Sequence, residues 1–155
     1  MSADALVVKR ESWLRRWHWF ILPSALIVIA IGVAFYGHAR IKRESRNEVI
    51  RLILSGQMSI SPGGITTLPA SLASASVGGE IYASSPSSGQ MLIAFKDWIG
   101  KGRNMSGLLF CSRPLTSGDI EKDYYGEDVI QVGPIQLVLE KQIDPNWYEV
   151  SYGLD

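Results

Sequence analysis

Cysteine and histidine are nearly missing from this 155-residue chain, which has one cysteine, Cys111, and two histidines, His18 and His38. A lone cysteine cannot close an intrachain disulfide, and its LLFCS setting reads as a small buried hydrophobe rather than a reactive thiol. The two histidines stand 20 positions apart at the two ends of one apolar run, where each reads as an interfacial polar residue. Histidine triads, Cys–His dyads and zinc sites therefore lack their residues, and no catalytic group, cofactor ligand or metal ligand is assigned. The absence of disulfides suits a cytoplasmic domain, but many exported bacterial domains lack them too, so it does not choose a compartment.

Charge is missing from residues 17–39, the 23-residue run WHWFILPSALIVIAIGVAFYGHA. As a helix this run is roughly 35 Å long, enough to cross a hydrocarbon core of about 30 Å with some tilt. Trp17, Trp19 and Phe20 mark one end and Phe35 and Tyr36 the other, as an aromatic belt places them. Lys9, Arg10, Arg15 and Arg16 precede the run, and Arg40, Lys42 and Arg43 follow it. The expected partner is a lipid bilayer, with Trp17, Trp19, Tyr36, Arg40, Lys42 and Arg43 as interface anchors. A cleaved signal peptide is the alternative, since Gly37-His38-Ala39 offers small residues at the −3 and −1 positions of a cut. The run exceeds the usual 7–15-residue apolar core of such peptides, and basic residues follow at once, so a retained single-pass anchor is expected. Four Lys/Arg in the 15 residues before the run face five in the 15 after it, so the positive-inside rule barely orients it. A short basic tail kept in the cytoplasm tips the expectation narrowly towards a C-terminal domain outside.

Basic residues are also scarce towards the C-terminus. From Pro114 onward nine carboxylates accompany only Lys122 and Lys141. Nucleic-acid binding rests on Lys and Arg neutralising phosphates, so no nucleic-acid partner is expected.

The predicted organisation is a basic tail over 1–16, a transmembrane helix over 17–39 and a juxtamembrane helix over 40–56. A Ser/Gly/Ala-rich linker or edge strands follow over 57–79, then a small β domain over 80–155. Nothing breaks the helical pattern before Gly56, and Val49, Ile50, Leu52 and Ile53 offer an apolar face to the domain or to lipid. Arg40, Lys42, Arg43 and Arg46 stand where anionic head groups would be, each such contact adding about 1 kcal/mol. Residues 64–68 form a possible edge strand. EIYAS (80–84), QMLIAFKDW (90–98), SGLLFCS (106–112), DVIQV (128–132), PIQLVLEKQI (134–143) and WYEVSYG (147–153) read as strands separated by turn chemistry. Alternation of Tyr148, Val150 and Tyr152 with Glu149 and Ser151 marks a half-buried strand, whereas MLIAF and LLF suit strands covered on both faces. The fold class is thus one transmembrane α-helix continuing into a juxtamembrane helix, followed by a mainly-β domain: an antiparallel meander, sheet or half-barrel packed on that helix.

Motifs for chemistry are thin. A Ser–Lys dyad could draw on Ser87 or Ser88 near Met91, with Lys96 or Lys101, or on Ser117-Gly118-Asp119, but no Ser-Met pair with a following Pro comes after the run. Asp97 with Asp119 or Glu121 is the alternative carboxylate pair. The acidic segment 117–128 places Tyr124 where a calcium loop needs its glycine, so it reads as a solvated loop, with a partner-facing acidic–aromatic patch or an irregular cation site as alternatives. Lys96, Lys101 and Arg103 around Gly100 and Gly102 read as a basic hairpin tip, without the strand–GxxxxGK–helix arrangement of a phosphate loop. The aromatics Trp98, Trp147, Tyr82, Tyr124, Tyr125, Tyr148 and Tyr152 serve the core or, where exposed, a binding surface.

These features lead to the expectation of a non-enzymatic accessory or interaction protein tethered at the membrane, with a membrane or envelope protein as partner. Two rival classes are a tethered hydrolase and a membrane-complex assembly factor. The second would act through the span, whose Pro23, Ser24, Ala25, Ala30, Gly32 and Ala34 permit helix packing without forming GxxxG.

Overall fold

The computed structural model describes residues 3–85, 89–99 and 105–152, with the backbone alone described for 3–22, 99 and 105. The chain forms two compact units, Met1–Arg40 and Ile41–Asp155. One helix, α1 (Ala3–Leu54), runs through the first and into the second. Within Pro23–Leu54 it is long and apolar enough to cross a membrane, an 18-residue window there having a mean hydropathy of 1.6. Leu26, Val28, Val33, Phe35 and Tyr36 all stand exposed on it. The helix ends before Gly56, as its sequence suggests: with φ of 72°, Gly56 takes the left-handed turn that a Cβ disfavours. There the backbone N–H groups of Gly56 and Met58 cap the carbonyls of Ile53 and Leu52, each at 3.0 Å.

Beyond the helix, eight antiparallel strands form a single sheet that curls into a half-barrel. They are β1 (Ile65–Thr67), β2 (Glu80–Ser84), β3 (Leu92–Ile99), β4 (Met105–Cys111), β5 (Glu121–Lys122), β6 (Asp128–Val132), β7 (Ile135–Asp144) and β8 (Trp147–Tyr152). Two 3-10 helices, Ala70–Ala75 and Val77–Gly79, join β1 to β2. Strand order is β1-β2-β3-β4-β8-β7-β6-β5. A simple meander is therefore corrected. Consecutive strands do pair within β1–β4 and within β5–β8, but residues 112–120 carry the chain from β4 to the far edge, leaving β8 to pair with β4. Arg113 and Asp119 pin that connection, while Leu115 packs on the core and donates its N–H to the Tyr148 hydroxyl at 3.1 Å.

The sheet is covered on both faces, which explains the unbroken apolar run in β3. Leu92 and Ala94 enter the inner cluster with Leu109, Cys111, Val132, Leu137 and Val150. Their neighbours Ile93 and Phe95 enter the outer cluster with Val49, Ile50, Ile53 and Ile81. In β8, Tyr148, Val150 and Tyr152 are buried and Glu149 is exposed, as alternation requires. Curling brings the β1 entrance against the β6–β7 turn, where a Cβ on Gly64 would lie 2.7 Å from the Gly133 Cα. Where β3 bulges after Lys96, a Cβ on Gly107 would sit 2.1 Å from the Phe95 carbonyl oxygen. Only glycine fits there.

Candidate functional site

The second unit is organised around a clamp between the last turns of α1 and the end of β3. Lys42, Arg46, Val49, Ile50 and Ile53 recur at three- and four-residue spacing and so share one helix face. The apolar three lie in the outer cluster, 0–8 % exposed, while Leu52 is half-buried. Above them, Lys42 Nζ meets Asp97 Oδ1 at 2.5 Å, and the Arg46 guanidinium bonds the same oxygen. Arg46 also donates from Nε to the Ala75 carbonyl at 2.9 Å and lies 5.5 Å from the centroid of the Phe95 ring. Its side chain is thereby committed on three sides. Burial alone would raise the Asp97 carboxyl, but hydrogen bonds and charge from Lys42 and Arg46 outweigh it and leave it below its ordinary value. Ser45 and Ser74 hydroxyls, 2.8 Å apart, add a neutral bond between helix and connection.

Inside the curl, Lys96 is buried and pairs with Glu80 at 3.0 Å, its ammonium 5.4 Å from the centroid of the Tyr82 ring. The Tyr82 and Tyr152 hydroxyls lie 3.2 Å apart, their rings packed edge to face. Burial, with the Tyr82 hydrogen bond, pushes the Tyr152 hydroxyl well above the ordinary phenol range. Cys111, fully buried, is pushed up to about 12 by burial, with the Asp119 charge adding to the effect. A thiol so placed stays protonated at neutral pH and is a poor nucleophile.

The groups considered for chemistry are dispersed. Asp97 faces Lys42 and Arg46, whereas Asp119 is held by a bidentate Arg113 pair at 2.8 Å and by the Thr116 backbone and hydroxyl. Arg113 follows Cys111, which pairs with Leu92, and Asp97 lies five residues further along β3, about 17 Å at strand rise. These two carboxylates do not form a pair. Glu121 lies on the edge strand β5, where it is exposed. Ser87, Ser88, Lys101 and Arg103 lie outside the described residues. Asp123 Oδ1 accepts the Tyr125 and Glu127 backbone N–H groups at 2.9 and 2.8 Å, so the acidic segment is a turn closed on itself. Among the described residues no group of three or more His, Cys, Asp or Glu is placed to hold a metal ion. A cavity of about 510 Å³, lined by Ile60, Ser61, Pro62, Gly64, Ser84 and Pro134 among others, has no ionisable side chain in its wall among the described residues.

The expected interface anchors fall into three groups. Trp17 and Trp19 belong to α1, but their side chains lie outside the described residues. Tyr36, Arg40 and Arg43 are exposed. Lys42 is half-buried against Asp97, and Arg46 is buried in the domain instead of reaching outward. Reading the basic cluster by charge alone missed Asp97 as their partner. The signal was there in the spacing, since Lys42 and Arg46 continue the stripe of Val49, Ile50 and Ile53. Among the aromatics, Trp147 packs on Phe95 and Phe110, whereas Trp98, Tyr124 and Tyr125 are 59 %, 94 % and 84 % exposed. Compared with protein-family models, curated proteins and solved structures, the chain matches none.

Proposed function

We propose that the chain is a single-pass membrane protein whose β domain serves as a non-enzymatic accessory or interaction module. In this reading residues 17–39 cross the bilayer, the domain lies outside the cytoplasm, and its partner is a membrane or envelope protein. One observation carries the proposal: the apolar helix continues without a break into the clamp that holds the domain, joining Lys42 and Arg46 to Asp97 and burying Val49, Ile50 and Ile53. A domain built onto its own anchor is confined near the bilayer, which raises its effective concentration for a neighbour there. The partner-facing surface is the β5–β6 turn. Tyr124 and Tyr125 pack edge to face with centroids 5.3 Å apart, on a loop that Asp123 closes, and pre-ordered exposed aromatics suit a binding contact.

The non-enzymatic part of the reading is supported by how the polar groups are spent. Lys96, Asp97 and Asp119 each sit in an ion pair, and Cys111 is buried. Three experiments test the proposal. Alkaline carbonate should leave the chain in the membrane pellet, and reporters fused at the C-terminus should be active only in their extracytoplasmic form. Release by carbonate would overturn the anchor, and a cytoplasmic C-terminus would overturn the orientation. Serine-dependent hydrolysis of an ester or peptide panel by the purified chain would replace the accessory role with a hydrolase.

A further inference from the structure

We propose that the β1 edge of the sheet binds an extended, uncharged segment of a partner protein as an added strand, one side chain of which enters the cavity beside Gly63 and Gly64. The proposal rests on the interaction role given above, does not need α1 to cross a bilayer, and uses a surface other than Tyr124 and Tyr125.

Hydrogen-bond parity carries the argument. β1 is the edge strand beside β2, in the antiparallel register Ile65–Tyr82, Thr66–Ile81 and Thr67–Glu80. The Gly64 carbonyl accepts the Ala83 N–H, and the Leu68 N–H donates to the Gly79 carbonyl, both at 2.8 Å. Antiparallel strands bond through alternate residues, so Thr66 also turns its main-chain groups to β2. Ile65 and Thr67 turn theirs to the open edge, where these N–H donors and carbonyl acceptors have no partner among the described residues. Both residues are exposed, Ile65 by 43 %. Donors and acceptors repeating at every second residue are matched by the main chain of another strand.

The two edges of the sheet differ in what they carry. Exposed edges are commonly guarded by charged side chains. At one edge β5 is Glu121–Lys122, with Asp123 next. At the other, β1 is Ile65-Thr66-Thr67, and no charged residue occurs between Arg51 and Glu80. An uncharged segment meets neither repulsion nor an unpaired charge there.

The cavity identifies the occupant as another chain. Its wall includes Ile60, Ser61, Pro62, Gly63 and Gly64, the residues that lead into β1, and has no ionisable side chain among the described residues. A segment paired along β1 reaches it at the Ile65 end, where about 510 Å³ accommodates an uncharged side chain. A second copy of β1 has none to offer. Paired antiparallel, it brings Leu68 and Pro69 to that end, and Leu68 is already buried in its own outer cluster. Paired parallel, it brings Gly63 and Gly64, which have no side chain.

The test selects peptides from a phage-displayed random library on the full chain in detergent, then measures synthetic copies by fluorescence anisotropy. Binders should be uncharged over their central residues. N-methylation at alternate central residues should weaken them about tenfold, and methylation at the residues between should not. Thr67→Pro deletes an edge donor without touching a bond to β2 and should abolish binding, whereas Thr67→Val keeps that donor and should bind as wild type. A second readout needs no variant. In the wild-type chain the Ile65 and Thr67 amides should exchange hydrogen faster than those of Thr66 and Leu68, and bound peptide should slow them several-fold. A library that yields no binder, or binders that leave both amides unprotected, overturns the proposal. Binders lost in Tyr124→Ala but kept in Thr67→Pro overturn this edge and leave the interaction role standing. Dimers of the free chain that Thr67→Pro dissociates would overturn the choice of a separate partner.

Discussion

Arg46 is 7 % exposed, and its guanidinium meets a carboxylate, a carbonyl and an aromatic face at once. Replacing it removes these contacts and leaves Asp97 half-buried with Lys42 alone. Arg46→Ala is therefore expected to cost about 3 kcal/mol in urea unfolding of the full chain in detergent, at the lower end for breaking a buried pair. Arg46→Lys should recover only part of that loss, because an ammonium cannot serve Ala75 and Asp97 in the same fork. Wild-type stability in Arg46→Ala would show that the clamp is ornamental. Cys111 makes the opposite kind of prediction, an absence of reaction. Its thiol should resist a maleimide at neutral pH in the folded chain and react as soon as denaturant opens the core. Cys111 could be placed from sequence because the apolar run Leu108-Leu109-Phe110 leads into it. Arg46 could not, since its partners Ala75 and Asp97 lie 29 and 51 residues away.

Strands were legible where local pattern and burial agree. EIYAS and DVIQV match β2 and β6, and WYEVSY shows its inward and outward residues in alternation. β5 has only two residues, too few to display any period, and the Ala/Ser-rich 3-10 helix Ala70–Ala75 before β2 carries no apolar stripe. Sheet order was illegible for another reason. Pairing Met105–Phe110 with Trp147–Tyr152 is a contact between distant segments, and nothing in either strand names the other. The bulge of β3 opposite Gly107 likewise appears only once the two strands are paired. There a Cβ would meet a carbonyl of the adjacent strand, not a side chain that can swing aside. Gly107→Ala is expected to cost about 3 kcal/mol, the upper part of the overpacking range, measured by the urea midpoint. A variant as stable as wild type would mean that β3 and β4 separate there without loss.

For the whole molecule, acid is the condition that should undo the fold. The Asp119 carboxyl is held well below its usual range by Arg113 and Thr116, and Asp97 is lowered by Lys42 and Arg46. A folded carboxylate that binds its proton less readily than the unfolded one adds stability above the unfolded value, near 4, and surrenders it as pH falls. Thermal stability should therefore be level from neutral pH down to about 5 and decline below about 4, with Asp119→Asn flattening part of the decline. A melting temperature that rises on acidification would contradict both assignments. The order of the strands bears on how the domain is made. β8, the last of the eight to emerge from the ribosome, occupies an interior position between β4 and β7. Until it arrives, β4 is an unpaired edge carrying Leu108, Leu109 and Phe110. A nascent chain stopped before Trp147 thus lacks the seam of its sheet rather than a fringe. An interrupted product would carry an apolar strand with one edge open.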